Sequence, residues 1–298
     1  MKNIMKESVY HLLDVFTNQR FGGNQLAIFE DATEIPTELF QNIARELNLS
    51  ETVFLYPKND QGHYPMRIFT PVKELPTAGH PTIGTAYFLA QKYPQQIGQL
   101  ELIMSQKIGE ITVKVDISSS GVTMATMYQI DPIFGKVFDN RHQIADLLSL
   151  KESDLLAYPI QEVSCGVPYI IIPVKTIKNI ENIIFRTDIW EQLKPLFNEN
   201  SVYVFTPHGT LPNGDLHGRM FAPELGVNED PATGSANGPL GCYLFKHNIK
   251  KGPLISEQGF EMGRPSILHI HIENEGDKIT AVKIGGQAII VGRGTFFL

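Results

Sequence analysis

Cysteine is nearly absent from this chain of 298 residues, which carries only Cys165 and Cys242. Without a CxxC spacing they build neither a disulfide framework nor a zinc knuckle, and a reducing cytoplasm is the expected setting. Long apolar runs are missing too. Stretches such as Tyr169–Val174 fall far short of the ~18–20 residues of a spanning helix, and the N-terminus has no apolar signal core. Positive charge is in deficit, with 25 Lys plus Arg against 32 Asp plus Glu and a net charge of −7. Such a surface has no general attraction for phosphate backbones or anionic lipid, so neither nucleic acid nor a membrane is expected as a partner. No GxxxxGK[ST] loop occurs, and Gly22-Gly23-Asn24 lacks the spacing of GxGxxG, so no nucleotide cofactor is expected.

What the chain does contain is an ordinary globular composition, 42% hydrophobic and 19% charged, at a length that suggests two domains. It also contains a repeat. Arg67-Ile68-Phe69-Thr70-Pro71 resembles Arg219-Met220-Phe221-Ala222-Pro223, and Glu74-Leu75-Pro76-Thr77-Ala78-Gly79-His80 resembles Glu229-Asp230-Pro231-Ala232-Thr233-Gly234-Ser235. The offsets are 152 and 155, so a three-residue insertion in the second copy's loop reconciles them. Weaker echoes lie upstream, where Gly23-Asn24-Gln25-Leu26 matches Gly166-Val167-Pro168-Tyr169 and Glu51 falls at the position of Ser201. The expected halves are residues 1–130, open to completion by the C-terminal strand 287–298, and 131–286, with the site in a cleft between them.

Each repeated motif reads as strand, turn and helix, the helices running from about Pro81 to Lys92 and from about Ala236 to Phe245. Both are apolar around their whole circumference, the pattern of a buried helix. Short β-branched runs predict strands at Ile111–Ile117, Val122–Thr126, Tyr169–Val174, Val202–Phe205, Ile267–Ile272 and Ala288–Val291. The expected fold class is α+β, with two pseudo-symmetric domains, each a curved sheet wrapped around a central helix.

A Gly-rich turn opening a helix aims backbone N–H groups and the positive end of the dipole at one point, where an anion is favoured. Gly79-His80 and Gly234-Ser235 are two such turns, suited to holding a carboxylate. An isolated Gly would more simply serve a tight turn, but the recurrence favours the paired reading. Glu51 enters the apolar stretch Val53–Leu55, where desolvation can raise a carboxylate's pKa toward that of a proton carrier, whereas Ser201 in the other half cannot titrate near neutrality. Taken singly, Glu51 reads as an ordinary strand-end residue. His80 offers a hydrogen bond or a second proton movement, or serves only as a cap or packing residue. Asp230 suits helix capping as well as it suits substrate contact. His269 and His271 share a strand face without a third ligand, so no metal site is expected.

These residues resemble the PhzF-like phenazine-biosynthesis family. Ser50-Glu51-Thr52-Val53-Phe54, Glu74 through Thr82, Cys165-Gly166-Val167-Pro168-Tyr169, Glu229 through Ala236, and Gly285-Gly286-Gln287-Ala288 through Gly292-Arg293-Gly294 follow the family's signatures in order. The resemblance implies the diaminopimelate-epimerase-like fold, a homodimer and no cofactor. It assigns proton transfer to Glu51 and the lining of the substrate site to Ser50, Gly79, His80, Asp230 and Ser235. Gln25 departs from the family's usual Pro in its GNP motif. The related two-thiol epimerases place a Cys on each turn, which Gly79-His80 and Gly234-Ser235 exclude, leaving Cys165 and Cys242 as small packing residues. The family's best-known member isomerises a dihydro-hydroxyanthranilate, but the family is broad, so resemblance fixes the proton chemistry better than the substrate.

The function expected is therefore isomerisation or epimerisation of a small carboxylic acid, cyclic or amino, by moving a proton. Two rivals stand beside it. A serine-type hydrolase would use Ser235, His80 and Asp230 as a triad, although Ser235 lacks the GxSxG elbow. A non-catalytic carrier of small acids would keep the two turns but have no use for Glu51.

Overall fold

The computed structural model describes residues 6–93, 96–197 and 201–298, the side chain of Leu225 aside. It is a mixed α+β structure in which parallel and antiparallel strand pairings coexist. Two compact units divide it, one formed by the chain up to Met127 together with Gly285–Leu298, the other by Tyr128–Ile284.

From the N-terminus the elements are β1 (Glu7–Val15), β2 (Asn24–Phe29), α1 (Phe40–Leu47), β3 (Glu51–Leu55), β4 (Tyr64–Phe69), β5 (Glu74–Leu75), α2 (Gly79–Lys92), β6 (Gly98–Gln106), β7 (Gly109–Ser118) and β8 (Gly121–Gln129). Next come β9 (Ile133–Phe138), α3 (Arg141–Leu147), β10 (Ile160–Ser164), β11 (Pro168–Pro173), α4 (Ile177–Glu181), α5 (Thr187–Leu193), β12 (Ser201–Thr206), β13 (Leu216–Ala222) and β14 (Val227–Asp230). The chain ends with α6 (Gly234–Lys246), β15 (Leu254–Gln258), β16 (Ser266–Glu275), β17 (Lys278–Gly286) and β18 (Ala288–Phe297), the last of which pairs antiparallel with β1.

The β-branched runs lie in strands, with Val174 just past the end of β11, and both apolar stretches are helices. Each helix starts two residues earlier than its apolar pattern, at the glycine itself, because Gly79 and Gly234 enter the first turn instead of preceding it. Helix α2 is buried from Gly79 to Ala90 and touches β1, β2, β3, β6, β7 and β18. A side chain at Gly84 would meet Leu26 Cδ2 and Val15 Cγ2 at 2.7 Å, so the missing Cβ lets the helix seat against β1 and β2. Helix α6 is likewise buried apart from Ser235 and Lys246, and touches β10, β11 and β16.

The repeat read in the sequence recurs in strand register. In the first unit β2 and β3 pair in parallel with Leu26 opposite Glu51, and β3 and β4 pair antiparallel with Phe54 opposite Arg67. In the second, β11 and β12 set Tyr169 opposite Ser201, and β12 and β13 set Val204 opposite Arg219. A bidentate ion pair follows each time: Arg67 with Glu74 at 2.7 and 3.0 Å, and Arg219 with Glu229 at 2.8 Å for both bonds. Each guanidinium also lies 5.1 Å from a phenylalanine ring, Phe69 or Phe221.

Side-chain alternation then decides what faces each buried helix. On β3, Phe54 stacks on Phe40 of α1 at 3.8 Å, which sends Val53, and with it Glu51, to the opposite face, where α2 lies. On β12, Val202 and Val204 join Trp190 of α5 in one core, while Tyr203 and Phe205 face α6.

The loop from β1 to β2 is fixed by its backbone. Gly23 has φ +63°, and a Cβ there would stand 2.3 Å from the Val15 carbonyl oxygen. Gly23→Ala is expected to destabilise the protein by about 2–4 kcal/mol, from the left-handed backbone and the clash together, as measured by urea unfolding. An unchanged midpoint would show that the loop adapts.

Candidate active site

Strand β3 begins with Glu51, and half-buried Ser50 directly precedes it. Because Glu51 points to the α2 side, it meets the first turn of that helix: its Oε2 lies 3.2 Å from Nε2 of His80. The side chains are 13% and 4% exposed, so the contact is almost removed from water. His80 Nε2 makes no aligned hydrogen bond, whereas Nδ1 lies 3.1 Å from Nδ2 of Asn24, the first residue of β2. Burial pushes His80 down to about 3, with a hydrogen bond donated by the ring to the Gln25 backbone carbonyl pulling the other way. The imidazole is therefore neutral throughout the physiological range.

No side chain caps α2 at Ala78, and its first turn holds no acidic residue. Pro81 contributes no N–H, so the donors of that turn are the Gly79 and His80 amides. The hydroxyl of Thr82 folds back onto the Ala78 carbonyl at 2.6 Å and accepts from Gln106 Nε2 at 2.7 Å, which holds the turn in place.

In the second unit β14 ends at Asp230, and α6 opens with Gly234 and Ser235. Helix α6 again has no side-chain cap, at Thr233, and no acidic residue in its first turn. The Thr233 hydroxyl donates to Asp230 Oδ2 at 2.6 Å, so Asp230 braces the turn that precedes the helix while Thr233 holds the N-cap position. Gln258 supports the same turn, donating to the Asp230 carbonyl at 2.7 Å and to Thr233 Oγ1 at 3.0 Å. Asn237 donates to the Thr233 carbonyl at 2.9 Å, and buried Tyr203, pushed up to about 12 by desolvation, donates to Gln258 Oε1 at 3.3 Å. Ser235 Oγ lies 2.7 Å from the Tyr169 hydroxyl.

The first unit thus brings together Ser50, Glu51, Gly79 and His80, and the second gathers Asp230, Gly234 and Ser235. Sequence reading missed Asn24 as a partner of His80, and missed Tyr169, Tyr203, Thr233, Asn237 and Gln258. Only the echo between Gly23-Asn24 and the turn before Tyr169 hinted at two of them. The triad reading loses support, because the two ring nitrogens of His80 face Asn24 and Glu51, while Ser235 and Asp230 are engaged by Tyr169 and Thr233. The two cysteines lie close together, Sγ to Sγ 3.8 Å, and both are buried. Hydrogen bonding between them and burial both push the Cys165 thiol up, which makes it a poor nucleophile. His269 and His271 share the outward face of β16, and no group of three ligating side chains occurs among the described residues.

A buried carboxylate beside a neutral imidazole, at the uncapped head of a buried helix, is equipment for moving a proton on an anionic substrate. The relatives of this chain place it among the isomerases. It belongs to the PhzC/PhzF family of phenazine biosynthesis-like proteins, whose family model it matches over residues 13–294. An uncharacterised isomerase of Clostridium acetobutylicum is 33% identical, with 97% of each chain covered. The trans-2,3-dihydro-3-hydroxyanthranilate isomerase of Pseudomonas fluorescens is 32% identical, over 97% of this chain and 99% of that one. Among solved structures, a Bacillus anthracis protein of the PhzF family superposes with a TM-score of 0.89 at 27% identity, over 99% of this chain and 100% of that one. No helix among the described residues is long and apolar enough to cross a membrane.

Proposed function

We propose that Glu51 takes an acidic C–H proton from a small carboxylic acid and, after exchange of that proton with solvent, returns one to another carbon of the same molecule. The observation that carries this reading is the 3.2 Å approach of Glu51 to His80 at the head of α2, with serine at the equivalent position of the second unit. Removal and return of one proton leaves the substrate's composition and oxidation state unchanged, so the step balances without a redox group or a second substrate. Each of the two pseudo-symmetric domains is a curved sheet around its central helix. The N–H groups of Gly79, His80, Gly234 and Ser235 hold the carboxylate. These donors also stabilise the charge that spreads onto it as the proton leaves. Ser50 and Asp230 complete the substrate contacts, and the enzyme works as a homodimer.

The substrate class is a small unsaturated, cyclic or amino acid with a C–H next to a conjugated system. In deuterated water, a set of such acids that includes trans-2,3-dihydro-3-hydroxyanthranilate is expected to yield a product of the same composition with deuterium at carbon, read by mass spectrometry and proton NMR. A hydrolysed or oxidised product would overturn the assignment. So would tight binding of an acid that never exchanges, the behaviour of a carrier.

A further inference from the structure

Helix α6 has a capping residue that does not cap it. Thr233 holds the N-cap position, where threonine ordinarily accepts from the amide two or three residues on, yet it makes no such bond. Its hydroxyl is drawn the other way by Gln258, the last residue of β15, which is fully buried. The direction of each bond is fixed by backbone partners. Gln258 Nε2 lies 2.7 Å from the Asp230 carbonyl, which only accepts, and Oε1 lies 3.2 Å from the Thr233 N–H, which only donates. Nε2 therefore also donates to Thr233 Oγ1 at 3.0 Å, and the one hydroxyl proton of Thr233 goes to Asp230 Oδ2 at 2.6 Å. We propose that Gln258 is a positioning residue for the substrate acid: by turning the Thr233 hydroxyl toward Asp230, it keeps the Ser235 amide at the head of α6 open to a carboxylate. This rests on the reading that the Gly234 and Ser235 N–H groups hold the acid.

A side-chain cap fixes the first turn of a helix but occupies an amide that a ligand needs. Bracing the turn from behind fixes it and leaves that amide alone. Gln258 braces in this second way, and its own place is over-determined. Tyr203 and Asn237 also donate to its Oε1, at 3.3 and 3.5 Å. One imidazole, His217, bonds Glu257 at 3.0 Å on one side of it and Glu261 at 2.8 Å on the other, so the segment carrying Gln258 is tied at both ends. Between them lies Gly259, at φ +78°, where a Cβ would stand 2.5 Å from the Pro231 carbonyl oxygen. The missing side chain seats this segment directly against the turn from Asp230 to Thr233. The first unit has no need of such a device, because the N-cap of α2 is Ala78, which has no hydroxyl to divert.

The test is 15N–1H NMR of the full-length protein titrated with benzoate, a small cyclic acid that lacks an acidic C–H. In the free wild type the Thr233 amide is expected to exchange slowly with deuterated water and the Ser235 amide quickly, and benzoate is expected to shift and protect Ser235. In Gln258→Met, close in size and unable to donate, the Thr233 hydroxyl is released to cap α6. Benzoate affinity is then expected to fall about tenfold, as on loss of one hydrogen bond to a charged group. Adding Thr233→Val removes the hydroxyl and should recover most of that loss, which a merely weakened fold would not do. Circular dichroism verifies that both variants are folded. Wild-type affinity in Gln258→Met overturns the inference, as does a double variant no better than the single one. If Gln258→Met does not fold, the wild type decides alone, because a Ser235 amide protected without ligand overturns the inference and a quickly exchanging one supports it. Benzoate that leaves the wild-type Ser235 amide unmoved removes the anion site, and the role of Gln258 with it. Turnover enters none of these readouts, so full activity in a Glu51 variant would sink the proton-carrier reading alone.

Discussion

Glu51→Gln is expected to abolish turnover while the protein stays folded and still binds its acid. Gln keeps the shape and polarity of the side chain and can still pack beside His80, but it has no proton to exchange at carbon. Loss of a positioned acid or base costs about 10²–10⁴-fold in rate, and one group serving both transfers puts the loss at or beyond the upper end of that range. Affinity for a ligand acid should stay within about tenfold, or ~1.4 kcal/mol, because the proposed binding mode gives the substrate carboxylate to helix N–H groups and not to Glu51. Product formation gives the rate, calorimetry gives the affinity, and circular dichroism verifies the fold. Near-normal turnover by the variant would refute the mechanism without touching the family or the fold. Equal losses of rate and affinity would recast Glu51 as a binding residue.

Much of this arrangement could be read from the chain because both copies of one turn survive as recognisable strings. Glu74 to His80 and Glu229 to Ser235 locate the heads of the two buried helices, and the apolar circumference of each helix announces its burial. Glu51 was legible only through its SET motif, since a lone glutamate at a strand start carries no local sign of function. What makes it face His80 is parity on β3, decided by Phe54 packing on Phe40 the other way. Long-range pairings left no trace. Asn24 and His80 are 56 residues apart, and Tyr169 and Ser235 are 66 apart. A hydrogen bond across such a separation constrains neither residue's sequence neighbours, so no periodicity betrays it. Cys165 and Cys242 illustrate the same limit, adjacent in space although their spacing gave no reason to pair them. The neutrality of His80 was equally hidden, because it comes from burial under strands contributed by distant parts of the chain.

His217→Ala is expected to lower stability by about 3–5 kcal/mol, the largest folding effect among the changes considered. His217 is 1% exposed and lies between Glu257, which is fully buried, and Glu261. Glu257 also accepts from the Thr210 backbone N–H at 2.7 Å, the Thr210 hydroxyl at 2.6 Å and the Leu211 N–H at 2.8 Å, tying the loop before β13 to β15. Removing the imidazolium leaves two carboxylates in that interior without their cation, a far greater cost than the lost contact itself. The same cluster sets a pH dependence. His217 is raised from 6.5 in the unfolded chain to about 9 when folded, so its contribution is complete below pH 6.5 and is lost as pH rises through about 9. That difference is worth about 3 kcal/mol. Glu257 and Glu261 are depressed: desolvation raises them, but hydrogen bonds and charge from His217, joined at Glu257 by the Thr210 and Leu211 donors, outweigh it, so their contribution is present above about 4.5 and lost as pH falls through their folded values. The part of stability due to this cluster should therefore be greatest between pH 4.5 and 6.5 and decline toward pH 9. Urea unfolding of the wild type across that range should show the decline, and His217→Ala should remove most of it. Parallel pH profiles for the two proteins would mean that His217 is neutral when folded, and that the cluster is held by hydrogen bonds alone.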